Sequence, residues 1–353
     1  MTVIKTFSDQ HLSKFRDLGD PWIKEVLDIS DKSALKDIWS LKNDQELFKK
    51  TSSPALKEIV SQLSVLPYWY NEDKFLQSEQ FFKDFMQELM MMLGLVSLPY
   101  CYGGAEGSKV LVASGRLHTN TSKRLMETGT FVWNVCAPGA FSGTGKGFLT
   151  CLKVRLIHQF TREKLLKDGW DSDKYGYPVN QLDQAGTNLS FSLIAIRAIR
   201  KTGKSISNYQ LEAYIHRWNV ISYLVGLQDG LIMETIRTAS MLSRAIERIQ
   251  FRKSDEGRVL TKALLKSIFE QTGFADGYRR LLPYYMGYLI GEPTAKYLNL
   301  DPGNGIQYVF EFNSILTKMQ SFFHWFPVIG FENSQNPKSK DMESLLAEIP
   351  MLK

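Results

Sequence analysis

Apolar residues recur every three or four positions through most of this chain, and strand-like alternation never runs beyond a few residues. Only helices bury such stripes efficiently, so the pattern predicts an all-α fold. The stretches are Ser33 to Leu41, Ser53 to Leu63, Ser78 to Leu93, Thr121 to Val135, Gly147 to Leu166, Gln184 to Arg200, Ser207 to Leu227, Leu231 to Ile249 and Thr261 to Thr272. Asp20-Pro21 adds an N-cap and a first-turn proline ahead of Trp22, Val26 and Leu27. The run Lys109 to Ala113 is too short to assign by period. Loops are expected at Tyr102 to Gly107, Ala137 to Gly147, Asp168 to Asn180 and Asp301 to Gly305, where Gly, Pro, Asp and Asn collect.

With 353 residues and 44% hydrophobic content, a single helical domain over residues 1–332 has enough material for a core and an apolar pocket. Residues 333–353 read as a polar linker and a short amphipathic tail. The net charge of +6 comes from 43 basic and 37 acidic residues, a mixed surface that argues against nucleic acid as a partner. The longest apolar run, Leu89 to Tyr100, contains Gly94 and Pro99 and is shorter than a membrane span; a buried helix end is expected. The first ten residues carry no apolar signal core. Together with three widely spaced cysteines, Cys101, Cys136 and Cys151, they point to free thiols and a cytoplasmic location.

Several familiar chemistries drop out. Phe141 to Gly147 looks like a phosphate loop, but Ala140 stands where the first glycine belongs and Gly147 where a Ser or Thr would bind magnesium. Gly143, Gly145 and Gly147 alternate as G-x-G-x-G, which is not the dinucleotide fingerprint. C-x-x-C, H-E-x-x-H and E-x-x-H spacings are missing, as is the C-x-x-C-H of covalent haem attachment. Of the five histidines, His11 and His118 lie near expected turns, His216 pairs with Glu212 along a helix face, and His324 sits among aromatics.

His158 stands apart. On its helix, Leu149, Leu152, Leu156 and Phe160 form the core stripe, and His158 projects roughly 160° away, beside Cys151, Val154, Thr161 and Leu165. An imidazole on a second covered face suits an axial haem ligand, with Arg155 and Arg162 one turn either side for the propionates. The same pattern suits a buried structural histidine with solvent arginines, and periodicity does not separate the two. On the preceding helix, Arg124, Thr128, Phe131, Val132 and Val135 make a stripe that is polar at its start and apolar afterwards.

The segments Gly115-Arg-Leu, Arg124-Leu-x-x-Thr128, Gly145-x-Gly147, Val154-Arg-Leu-Ile-His158-x-x-x-Arg162 and Pro178-Val-Asn-Gln-x-Asp183 resemble, in order and spacing, the catalytic domain of latex-clearing proteins, the rubber oxygenases. The same domain occurs in the membrane-bound oxygenase of mycophenolic acid biosynthesis. The resemblance implies a globin-like helical core with additional helices and a non-covalent haem b. It makes His158 the proximal iron ligand and puts Arg124 and Thr128 on the distal side. Glu127 departs from it, because rubber oxygenases commonly carry a lysine there. Glu127 is then a base, an anchor for Arg124 or a solvent carboxylate, and Glu106 is the nearest candidate for an upstream catalytic acid. The implied reaction inserts dioxygen across a carbon-carbon double bond of an apolar isoprenoid or unsaturated lipid. Tyr100, Phe131, Trp133, Phe191 and Met90 to Met92 could line a channel for it. A haem-binding sensor or carrier, and a haem-free helical lipid-binding protein, are the alternatives.

Overall fold

The computed structural model describes residues 7–28, 37–50, 54–115, 121–272 and 276–300. These residues fold as helices and contain no strand; a lone antiparallel bridge joins Gly104 to Phe251. The all-α expectation holds. Asp301 to Gly305, Asn333 to Lys340 and the tail, His118, His324 and the first four residues of the Ser33 stretch lie outside the described residues.

At the centre lies helix Asn208–Leu224, opened by a Ser207/Gln210 capping box and buried on nearly every side. It packs most extensively on helix Glu72–Met92, which starts at Asn71, whose side chain accepts the Lys74 N–H. That helix kinks at Phe85 (φ −119°, ψ 18°), runs through a π-turn at Leu93–Ser97, and continues as Leu98–Tyr102 with Pro99 in its first turn. The apolar run from Leu89 to Tyr100 is therefore buried helix. Helix Gln181–Leu189 behaves alike, passing through the π-turn Ser190–Ile194 into Ala195–Lys201. The two π-turns pack together, and the Ser97 hydroxyl donates to the Ser190 carbonyl at 2.9 Å. A wide turn leaves backbone acceptors short of partners, and serine hydroxyls supply the missing donors.

The Lys109 run resolves as part of helix Ala105–Ala113, so the loop expected at Tyr102 to Gly107 shrinks to Gly103 and Gly104. Glycine is required at 103, where a Cβ would meet the Phe251 ring and Thr294 at 2.8 Å. Helix Ile236–Gln250 begins later than expected because Thr235 and Thr238 form a capping box. Helix Asp255–Thr272 begins earlier, with Asp255 and Glu256 in its first turn. Among the described helices, none is long and apolar enough to cross a membrane.

Candidate functional site

Two helices carry most of the expected site residues. Thr121–Cys136 bears Arg124, Glu127 and Thr128, and Gly147–Lys167 bears Arg155, His158 and Arg162. They pack on one another as an αα-hairpin closed by residues 137–146.

Two buried ionic side chains from elsewhere clamp the closed end of this hairpin. Asp44 is 1% exposed, and its carboxylate accepts the N–H groups of Phe148 at 3.2 Å and Leu149 at 2.9 Å. It thereby caps the His158 helix from outside. Asp44 is available because Asn43 caps Asp44's own helix, through Glu46 N–H at 2.9 Å. Burial pushes Asp44 up to about 6, against the pull of the N–H groups. Arg217, with no exposed surface, answers at the end of the Arg124 helix by donating to the Val135 carbonyl at 2.8 Å. Its guanidinium lies 4.4 Å from the Phe75 ring centre and 3.4 Å from Glu79. A cation at a helix C-terminus and an anion at an N-terminus both oppose the local end of the helix dipole. The phosphate-loop look-alike is the turn between them, with Gly143 and Gly145 carbonyls accepting from Gln45 and Asp44 N–H.

Cys136 and Cys151 lie close enough to couple electrostatically. Eight residues back from Cys136 and seven on from Cys151, at 1.5 Å per residue, span roughly 12 and 10 Å, bringing Thr128 and His158 to one level. His158 sits in a half-open strip with Val154, Ile157 and Thr161, none of them charged. Cys151 and Leu165 bury the same face above and below, so the opening is confined to the middle turns. Thr161 keeps its hydroxyl on its own helix, donating to the Ile157 carbonyl at 2.7 Å.

Arg155 and Arg162 are committed elsewhere. Arg155 forks onto Asp20 at 2.5 and 2.9 Å and stacks on Trp22 at 4.4 Å. Asp20 also serves as the expected N-cap, accepting the Ile23 N–H at 3.3 Å. Arg162, 1% exposed, donates to the Val179 carbonyl at 3.1 and 2.8 Å, and Val179 stands at φ 51°, a conformation β-branched residues avoid. These arginines pin Asp20 and the 177–181 segment to the helix, which engages Nε and Nη2 of each guanidinium. A cavity of about 240 Å³ opens on this flank, between Asp20, Trp22, Arg155, Gln181, Tyr223 and Gln228. Arg155 is the only one of the expected site residues that lines it.

On the partner helix, Thr128 donates to the Arg124 carbonyl at 2.8 Å. The Nη1 of Arg124 is sealed from solvent and has no hydrogen-bond partner among the described residues. Nearby, burial pushes the Tyr102 hydroxyl up to about 12, with the Arg124 charge pulling the other way. Glu127 is half-buried. Glu106 is buried and ion-paired with Arg252, with Arg16 at 3.8 Å, which makes it part of a structural cluster. Met90, Met91, Met92 and Tyr100 are core, Tyr100 donating to Glu247 at 2.6 Å, and Phe191 stacks on Trp218 at 4.9 Å. His216 does not depend on Glu212. Its Nε2 accepts the Asn71 N–H at 3.0 Å, and burial pulls it down to about 4.

Sequence reasoning missed Asp44, Arg217, Tyr102, Gln184 and Asn188. Asp44 had a local signal, since it directly follows a residue able to cap its helix; the others act over long separations that periodicity does not carry.

Comparison with known proteins completes the picture. Residues 84–311, well over half of the chain, match the family described as ER-bound oxygenase mpaB/B'/Rubber oxygenase, catalytic domain. A rubber oxygenase of Streptomyces sp. (strain K30) is 24% identical over 289 residues, covering 80% of this chain and 70% of that protein. The structure of latex clearing protein in the closed state aligns with a TM-score of 0.72 and 19% identity over 88% of this chain and 90% of that one, a likeness of fold. The chain belongs to the mpaB/rubber oxygenase catalytic-domain family and is an oxygenase, an oxidoreductase that draws on dioxygen and a small-molecule substrate.

Proposed function

We propose that this oxygenase works with a non-covalent haem b held by His158, and that it cleaves a carbon-carbon double bond in an apolar isoprenoid or unsaturated lipid. The observation that carries the reading is the half-open, uncharged strip with an imidazole at its middle, level with Thr128 and one turn from an arginine whose Nη1 is buried and unmatched among the described residues. A strip of that kind suits a flat apolar ligand covering it. The fit is incomplete at the propionates, because Arg155 and Arg162 are held by Asp20 and Val179. We therefore withdraw those two arginines from the cofactor set and keep them as supports of the His158 helix.

When bound, haem supplies the iron chemistry that activates dioxygen for addition to an alkene. The chain's own part is to position and to polarise. His158 stands on a helix whose first N–H groups are capped and whose Arg155 and Arg162 flank is packed, so its backbone is held in place. Arg124 has an N–H that no acceptor among the described residues takes, and it would serve as a hydrogen-bond donor to the bound reactants. Thr128 holds the Arg124 backbone by its hydroxyl, and Glu127 flanks the pair as the site's carboxylate. We assign the reaction to the cytoplasm, in keeping with three free thiols at Cys101, Cys136 and Cys151.

The test is an absorption spectrum of protein purified with hemin supplied, then reduced with dithionite and exposed to carbon monoxide. A Soret band that shifts with each step is expected. Stoichiometric hemin giving only the spectrum of free hemin would overturn the cofactor assignment.

A further inference from the structure

Gln181, Gln184 and Asn188 are spaced three and four apart and share one face of helix Gln181–Leu189. At the N-terminal end that face is fully matched: the Gln181 amide donates to the Gly19 and Gly226 carbonyls at 2.7 and 2.9 Å and accepts the Gln228 N–H at 2.9 Å. One turn on, the match fails. Gln184 is 8% exposed, and both Nε2 and Oε1 are sealed with no partner among the described residues. Asn188, 4% exposed, donates to Asn219 Oδ1 at 3.2 Å, while its own Oδ1 is sealed and unmatched.

The surroundings locate this face. On one flank, Thr187 meets Cys101 Sγ at 4.0 Å and Asp183 lies beside Gly107, so the segment running past Tyr102, next to Arg124, forms that wall. On the other, Asn219 belongs to helix Asn208–Leu224, which packs on the His158 helix. The face thus lies buried between the segment from Cys101 to Gly107 and helix Asn208–Leu224. An amide buried with both ends unmatched is costly in a core and is completed by whatever hydrogen-bonds there.

We propose that Gln184 and Asn188 receive the polar end of the substrate, a neutral group that both donates and accepts, an alcohol foremost. Gln184 Nε2 donates to the hydroxyl oxygen, and the hydroxyl proton goes to Gln184 Oε1 or Asn188 Oδ1. Gln184 offers an unmatched donor and acceptor and Asn188 a further acceptor, a set that a hydroxyl can satisfy, whereas an anionic head could use only the donor and would face two amide oxygens. The inference rests on the isoprenoid reading above for the chain attached to that head. It makes the substrate a small isoprenoid alcohol rather than a bare hydrocarbon.

The test compares three fifteen-carbon probes, farnesol, its methyl ether and farnesene, by quenching of tryptophan fluorescence on haem-free and hemin-loaded protein. Farnesol is expected to bind at least about tenfold more tightly than farnesene, with the ether between them. Gln184→Met and Asn188→Leu should each bring farnesol and farnesene to within about twofold while leaving hemin affinity unchanged. Equal affinities for the three probes in the wild type would overturn the proposal, and that arm needs no variant to fold. So would a farnesol preference that survives Gln184→Met, or a loss of hemin affinity with the preference intact, which would give the amide to the cofactor. Haem-free binding is read separately from hemin uptake, so failure of the haem assignment leaves this result standing.

Discussion

The closed end of the Arg124 and His158 hairpin and the region beyond it are built on opposite rules. At the closed end the buried charges are answered: Asp44 takes two N–H groups of the His158 helix, and Arg217 takes the last carbonyls of the Arg124 helix. Ten residues away the matching stops. Arg124 Nη1, both amide atoms of Gln184 and Asn188 Oδ1 are sealed from water without a partner among the described residues, and the strip around His158 is half-open. Buried polar atoms without a partner are uncommon in a protein interior and are completed by whatever hydrogen-bonds there. The rigid end sets the geometry, and the unmatched atoms beyond it are where we propose that a ligand completes the site.

That contrast can be broken most sharply at its centre. His158→Ala is expected to abolish stoichiometric hemin uptake while far-ultraviolet circular dichroism stays near wild type; a retained Soret band would remove the ligand assignment. At the matched end, Arg217→Ala strands the buried Val135 carbonyl and takes the cation from half-buried Glu79, and a loss of roughly 2 to 4 kcal/mol in urea unfolding is expected. A loss below about 1 kcal/mol would show that the clamp is not needed. Arg124→Ala should leave hemin affinity unchanged and slow alkene turnover by the order of a hundredfold; equal turnover would take Arg124 out of the chemistry. Asp44→Ala removes an external cap, at about 1 to 2 kcal/mol.

The smallest expected effect is in pH dependence, and its two contributions have opposite signs. Asp44 titrates near 6 in the fold against 3.8 unfolded, so the folded state binds more protons in that window and stability falls as pH rises through it. His216 titrates near 4 against 6.5, so its contribution is intact above 6.5 and is lost as pH falls toward 4. Asp44→Asn should therefore leave a stability curve that climbs more steeply from pH 4 to 6 than the wild type's. An unchanged slope would show that the Asp44 carboxyl titrates alike in both states.

What periodicity carries, this chain delivered: the His158 helix was expected from Gly147 to Leu166 and runs to Lys167. The break at Ser190–Ile194 was hidden, because a π-turn adds one residue to a turn without changing its composition. The angular position of Arg155 and Arg162 beside His158 was legible. Their partners were not, since Asp20 lies 135 residues and Val179 17 residues away. His216 shows the same limit, trading an expected neighbour four residues off for a backbone amide at Asn71. The proposed site residues fall on two helices that the sequence predicts, and the family resemblance supplies the roles proposed for them. Which of their polar atoms are already engaged is a tertiary property.

The external cap on the His158 helix also orders events in time. A ribosome delivers Asp44 long before the helix it anchors, so the anion is waiting when Phe148 and Leu149 emerge. Arg217 arrives last and is the counterpart that secures the other strut. Until it has left the exit tunnel the hairpin is held at one corner only, and the pocket we propose for the cofactor should mature after synthesis has passed that residue.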